Sequence, residues 1–134
     1  VQLEIASCSQ TKEVQAAARS LVQKVEVLLL LQDSTVASAA PAVIHACIDA
    51  KIPLFACFAE AVEMVALASL SIGEHKIGLK TAELVQNILQ GTPPSEIPVC
   101  DILEIDLTLN LSTATKIGIN FPASLKNEAQ KVYP

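Results

Sequence analysis

Residues Val25 to Leu31, VEVLLLL, run straight into Gln32-Asp33-Ser34-Thr35, and this junction constrains the fold more than any other stretch of the chain. Seven residues, mostly Leu and Val and without Gly or Pro, are too few to cross a membrane and too apolar for a strand with one face in water. They predict a strand covered on both faces by helices. Helical pattern lies on either side: Val14, Ala17, Ala18, Leu21 and Val22 recur at helical spacing, and Ala42 to Ala50 forms a second apolar, Ala-rich segment. Asp33, Ser34 and Thr35 are good N-cap residues, and the backbone N–H groups just after them are donors that a carboxylate or phosphate could meet. Two uses stay open for the three residues. They cap the helix only, or they cap it and also hold a ligand at the strand end, where open α/β folds bind.

The rest of the chain fits the same scheme. Val1 to Ala6 (VQLEIA) alternates apolar and polar like a strand, and Ser7 to Thr11 is a polar loop able to cap a helix from about Thr11 to Gln23. Pro41 falls inside the next helical stretch, so either 34–39 form a separate turn with Pro41 near the first helical position, or the helix kinks. Lys51, Ile52 and Pro53 end that helix, and Pro53 to Cys57 (PLFAC) starts a third buried strand. The order predicts an α/β fold, a parallel sheet with helices on both faces and right-handed crossovers. Further on, Phe58 to Met64 reads as a loop or short helical turn, Ala66 to Ile72 as a short strand ending at Gly73, and Glu74 to Gln90 as a helix stopped by Gly91. Residues 92–98 (TPPSEIP) form an extended connector. Leu103 to Leu111 alternates cleanly, which predicts a strand with one face wet or at a sheet edge. Ser112 is placed to cap a single helical turn ending at Gly118, and Pro122 to Val132 reads as a terminal helix with Leu125, Ala129 and Val132 inward.

Composition narrows the chemistry. The 134 residues are 51% hydrophobic and 17% charged, enough for one domain with a real core. Eight Lys and the single Arg19 face fourteen acids, for a net charge of −5, with no basic cluster, so no nucleic-acid partner is expected. No stretch approaches the length of a membrane helix, and the N-terminus lacks the regions of a signal peptide, which reads as a mature, cytosolic or fragmentary chain. Cys8, Cys47, Cys57 and Cys100 form no CxxC pair; burial as small hydrophobes is their expected role, and spacing leaves any disulfide pairing open. His45 and His75 lack ligand-spaced neighbours and are read as structural or exposed. Glu60 and Glu63 are expected on a solvated face rather than as an acid/base couple, and neither Asp33 nor Cys57 has a visible base partner. No cofactor, no metal and no enzymatic activity are therefore expected.

Several strings in order resemble a known family: EVQAAARSL (13–21), DSTVASA (33–39), AKIPLFA (50–56), ALASL (66–70), IGLKTAELVQNILQGTPPSEIPV (77–99) and TATKIGINFPASL (113–125). The chain resembles the periplasmic or lipoprotein substrate-binding components of ABC-type transporters with a type I, two-lobed, Rossmann-like fold, nearest their uncharacterised or aromatic-amino-acid-binding branch. Family members are about twice as long, as two lobes of typical size require, so the resemblance implies a C-terminal half. It implies residues 1–73 in the core of the second lobe, a hinge near Leu70 to Gly73, residues 74–98 belonging to the first lobe, and 99–134 returning to the second. It implies a periplasmic or cell-envelope location, a membrane permease as partner, and an amino-acid-like ligand between the lobes. On that reading Asp33, Ser34 and Thr35 face the cleft, joined by Cys57, Phe58 and Glu60 from the next loop. Where relatives often carry Ser-Asp the chain has Cys57-Phe58, and where they carry Glu-Arg-Gly it has Glu63-Met64-Val65, which points to a more apolar or stacking ligand or a disused site. Val65 also bears on the backbone, since a β-branched residue resists positive φ. The apolar face of helix 74–90 would seek a partner, which makes a homodimer an expected assembly. The alternative function is a flavodoxin-like, dimerising sensory or interaction module without a transport role.

Overall fold

The computed structural model describes residues 1–102 and 104–134. Helix α1 spans Thr11–Leu21 and buries Val14 and Ala18, with Val22 just beyond it. Its start uses Glu13, whose carboxylate accepts the Ser9 N–H at 2.9 Å. Strand β1 is Leu28–Leu30, followed by the one-turn helix α2, Ser34–Ala37, and then by α3, Ala40–Ala50. Pro41 sits in the first turn of α3, where its missing N–H costs nothing, so the two helices are separate rather than one kinked helix. Lys51 ends α3 at φ 56°, and the Ile52 N–H closes the cap on the Cys47 carbonyl at 2.8 Å.

Strand β2 is Leu54–Ala56, α4 is Glu60–Glu63, β3 is Ala68–Ser71, and the long α5 is Glu74–Leu89. A 3-10 turn at Pro94–Glu96 lies in the connector to β4, Asp106–Asn110. Helices α6, Leu111–Ile117, and α7, Ala123–Glu128, precede the last strand, β5, Lys131–Tyr133. The five strands form one sheet in the order β1-β2-β3-β4-β5. β1, β2 and β3 are mutually parallel, β4 runs antiparallel to β3, and β5 is parallel to β4. The fold is α/β as expected, with a mixed rather than wholly parallel sheet.

The larger core joins α1, α3 and α4 to β1 and β2 through Val14, Ala18, Leu28, Leu30, Val43, Ile44, Cys47, Leu54, Ala56 and Val62. A smaller one gathers Leu67, Ala68, Leu109 and Ala114, with Ile117, Ile119 and Phe121 against them. Tertiary pairing corrects four expectations. Val1 to Ala6 forms no strand, and Val1, Leu3 and Ile5 are exposed, because alternation makes a strand only where a sheet edge takes its hydrogen bonds. The first buried run contributes three residues rather than seven, and only one of its faces is covered: Leu29 is 58% and Leu31 62% exposed. β4 is an interior strand with Thr108, Leu109 and Asn110 all buried, so the polar half of its alternation faces protein and not water; Leu103, the first residue of the expected strand, lies outside the described residues. The terminal helix stops at Glu128, with Leu125 and Val132 largely exposed, and residues 131–133 pair with β4 instead, because the Gln130 N–H reaches the Leu107 carbonyl at 2.9 Å and continues the ladder.

Candidate functional site

Because β1, β2 and β3 run the same way, their carboxyl ends lie on one edge of the sheet, and the segments leaving them converge there. The Cys57 N–H bonds the Leu30 carbonyl at 3.0 Å, so pairing extends one residue past β2 and holds the Cys57 to Glu60 turn beside the end of β1. Between these segments is a cleft of about 50 Å³ lined by Gln32, Cys57, Phe58, Ala59, Glu60, Ser71, Ile72, Gly73 and Glu74. The crevice outside the carboxyl ends of strands is the position where open α/β sheets bind ligands.

Of the six residues singled out from sequence, Cys57, Phe58 and Glu60 share this cleft. Phe58 is only 7% exposed and packs into the larger core, so most of its ring is used for packing and it does not stand out as a free stacking surface. Asp33, Ser34 and Thr35 lie beside the cleft rather than in its lining, where Gln32 is the nearest residue of that loop. Asp33 caps α2: one carboxylate oxygen accepts the N–H groups of Thr35 at 2.9 Å and Val36 at 3.1 Å. The donors read from the sequence as available to a ligand are thus partly taken by Asp33 itself.

Gln32, Ser71, Gly73 and Glu74 are lining residues that sequence reasoning missed. The signal was present, since Leu70 to Gly73 was expected as a chain crossing, and a crossing next to strand ends borders the crevice. The lining offers two carboxylates, an amide, a hydroxyl and a thiol, and no basic side chain. Such a set accepts hydrogen bonds from an ammonium or hydroxyl group, and no imidazole or amine stands beside the Cys57 thiol in the lining. His45 and His75 are exposed, and among the described residues no cluster of His, Cys, Asp or Glu could hold a metal ion. All four cysteines are free thiols. Cys47 is buried in the core, where desolvation pushes its thiol up to about 11.

Fold and geometry together define the class: a Rossmann-like α/β lobe with a crevice at the carboxyl ends of its strands. Residues 1–133 match the family described as ABC transporter substrate binding protein, and the chain belongs to that family. A curated relative, the tyrosine-binding protein of Clostridioides difficile, is 34% identical over 105 residues, 78% of this chain and 30% of that protein. Among solved structures, a conserved domain protein from Vibrio cholerae matches with TM-score 0.85 and 34% identity, over 95% of this chain and 43% of its own. A Streptococcus pneumonia ABC domain in complex with L-Trp matches with TM-score 0.88 and 27% identity, over 98% and 45%. The ligand-free, open structure of a Clostridium difficile substrate-binding protein with adhesive properties matches with TM-score 0.72 and 31% identity, over 96% and 43%. The chain therefore spans less than half the length of these relatives.

Proposed function

We propose that this chain forms one wall of the binding cleft of a two-lobed solute-binding protein, which takes up an amino-acid-like ligand and delivers it to a membrane permease at the cell envelope. The observation that carries this is the polar cleft at the converging carboxyl ends of β1, β2 and β3. At about 50 Å³ it is far smaller than the roughly 300–1,000 Å³ of ligand pockets, the size expected if a second lobe supplies the opposite wall. In this reading residues 1–73 and 99–134 build the lobe, and 74–98 reach into the other one. Consistent with that, α5 has no buried residue and leaves Ile77, Leu79, Val85, Ile88 and Leu89 exposed. The ligand class is an aromatic amino acid, by analogy with the tyrosine-binding relative and the L-Trp complex. Glu60 and the charge of Asp33 face its ammonium group, with Ser34, Thr35 and Cys57 as polar contacts and Phe58 as an apolar floor.

The test is thermal and denaturant unfolding of the protein carrying this chain with L-tryptophan, L-tyrosine and L-alanine. A bound ligand at about 100 times its Kd adds about 2.7 kcal/mol of stability, and the aromatic pair is expected to outperform alanine. Asp33→Ser keeps an N-cap and removes the charge, so a loss of roughly tenfold or more in affinity at little cost in stability assigns the charge to the ligand. Unchanged affinity in Asp33→Ser removes Asp33 from the site. Absence of stabilisation by any of the three amino acids overturns the amino-acid reading.

A further inference from the structure

The chain leaves the sheet at the end of β3 and comes back at the start of β4, and Ser71 and Asp106 are paired at the same point of the ladder. Everything between them, α5 and the connector, is an excursion with a single base. Among the described residues, α5 makes no substantial packing contact with any other element, and the only side-chain bonds between it and the rest of the fold come from Lys76. The Lys76 Nζ lies 2.8 Å from Asp106 Oδ1 and 3.3 Å from Glu104 Oε2. Gly73 makes room for this clasp, because a Cβ there would stand 3.1 Å from Asp106 Oδ2. The two segments so joined carry the outgoing and the returning chain, and the outgoing one supplies Gly73 and Glu74 to the cleft.

We propose that Lys76 is a positioning residue, an ionic latch to Asp106 and Glu104 that sets the angle at which the 72–105 excursion leaves the sheet and so the width of the cleft between Glu74 and the Cys57 to Glu60 turn. Within this chain no residue of α5 is buried, so the clasp is what ties the base of the excursion to the sheet, whatever the other lobe packs against the rest of the helix. The pair is partly sheltered, with Lys76 and Asp106 side chains 32% and 22% exposed, while Glu104 at 81% is a peripheral partner. The Asp106 hydrogen bond holds the Lys76 ammonium above its ordinary range, partial desolvation opposes it, and Glu104 adds to it. An attraction of this kind is worth little as global stability, but it acts at the base of a lever, where a small change in angle moves the whole excursion.

Cys57 gives a readout that does not depend on any ligand, so its outcome is separable from that of the binding proposal. Its thiol is half-buried in the cleft wall and should react faster with a maleimide when the cleft widens, whereas Cys8, equally half-buried but against the larger core, reports on reactivity away from the cleft, Cys100 on the excursion itself and Cys47 on the integrity of the core. Rates at each cysteine, read by peptide mass spectrometry on the protein carrying this chain, are expected to rise roughly two- to fivefold at Cys57 alone in Lys76→Met and in Asp106→Asn. Lys76→Arg and the charge-exchanged double variant Lys76→Asp with Asp106→Lys are expected to restore the slow rate. An unchanged Cys57 rate in both single variants overturns the latch, and so does failure of the charge exchange to restore it. If a variant also exposes Cys47, Lys76→Gln, which keeps most of the stem and removes the charge, decides, and an unchanged Cys57 rate in that variant overturns the proposal.

Discussion

Val65 sits at φ 72°, in the left-handed region, because the turn after α4 requires it: the Ala66 N–H bonds the Ala61 carbonyl at 2.8 Å, and the Val65 carbonyl accepts the Thr113 hydroxyl at 2.9 Å. A β-branched side chain resists that conformation, and on that ground the resemblance put a left-handed backbone here in doubt; the chain adopts it all the same, held by those two bonds. Val65→Gly and Val65→Ala both remove the half-buried side chain and differ only in the Cβ, so the glycine variant is expected to be more stable by about 1 kcal/mol in urea unfolding. Equal stabilities would show that the turn relaxes in the alanine variant. Cys47 gives a second prediction at this scale, since burial pushes its thiol from 9.0 up to about 11. The unfolded chain gives up that proton at lower pH than the folded one, so ionisation favours unfolding between those values. The contribution of the neutral thiol is whole below about pH 9 and is lost as pH rises through about 11, at most about 3 kcal/mol. Unfolding midpoints from pH 8 to 11 are expected to fall more steeply for the unaltered protein than for Cys47→Ala. Burial of Cys47 was readable from its place on an apolar helical face, but the commitment of Asp33 to its own helix was one of two open readings, because cap residues and ligand residues are the same residue types.

Asn110 shows how an element can be decided by a residue whose role no local pattern announces. It ends β4, caps α6 by accepting the Thr113 N–H at 2.8 Å and the Ser112 hydroxyl at 2.9 Å, and donates to the Val62 carbonyl at 3.2 Å, all while 3% exposed. One side chain thus starts a helix and fastens it to α4. Asn110→Ala is expected to cost roughly 2–4 kcal/mol, measured by chemical denaturation: the cap is lost with the buried Thr113 N–H left unpaired, and so is the bond to the Val62 carbonyl, which keeps only the Val65 N–H at 3.1 Å. A cost under about 1 kcal/mol would mean that water replaces the bond to Val62. From sequence the cap was assigned to Ser112, two residues on, since Ser is a good cap and Asn110 lay on the polar side of an alternating strand. The alternation was read as a strand with one face wet or at a sheet edge, yet β5 pairs along the outer edge of β4 and α4 packs against the strand, so Thr108 and Asn110 are covered as well as Leu109. Elements with strong internal periodicity were read closely, as α1 and α5 show, because their hydrogen bonds are local. Lys131 and Val132 were misread as helix because their partner, β4, is some twenty residues away in the chain.

Across the whole molecule the sheet has one well-covered face near β1 and β2 and one that leaves Leu29, Leu31, Phe55 and Leu70 exposed, in a chain that spans less than half the length of its structural relatives. The cleft and the ionic clasp occupy neighbouring positions at the carboxyl ends of the strands, so the same convergence that makes a binding wall also makes the base of the α5 excursion. By itself the sequence determined the α/β order, the helices and most of the core, because apolar spacing, caps and breakers act over a few residues, and the ordered family strings pointed to the substrate-binding family to which the chain belongs. Only the tertiary structure decided that β4 runs antiparallel inside the sheet, that Val1 to Ala6 pairs with no strand among the described residues, that Ser71, Gly73 and Glu74 join Cys57 and Glu60, and that Lys76 meets Asp106. Each of these is a contact between residues far apart in sequence, and its free energy depends on which backbone edges and charges the fold brings within reach, which no local pattern encodes.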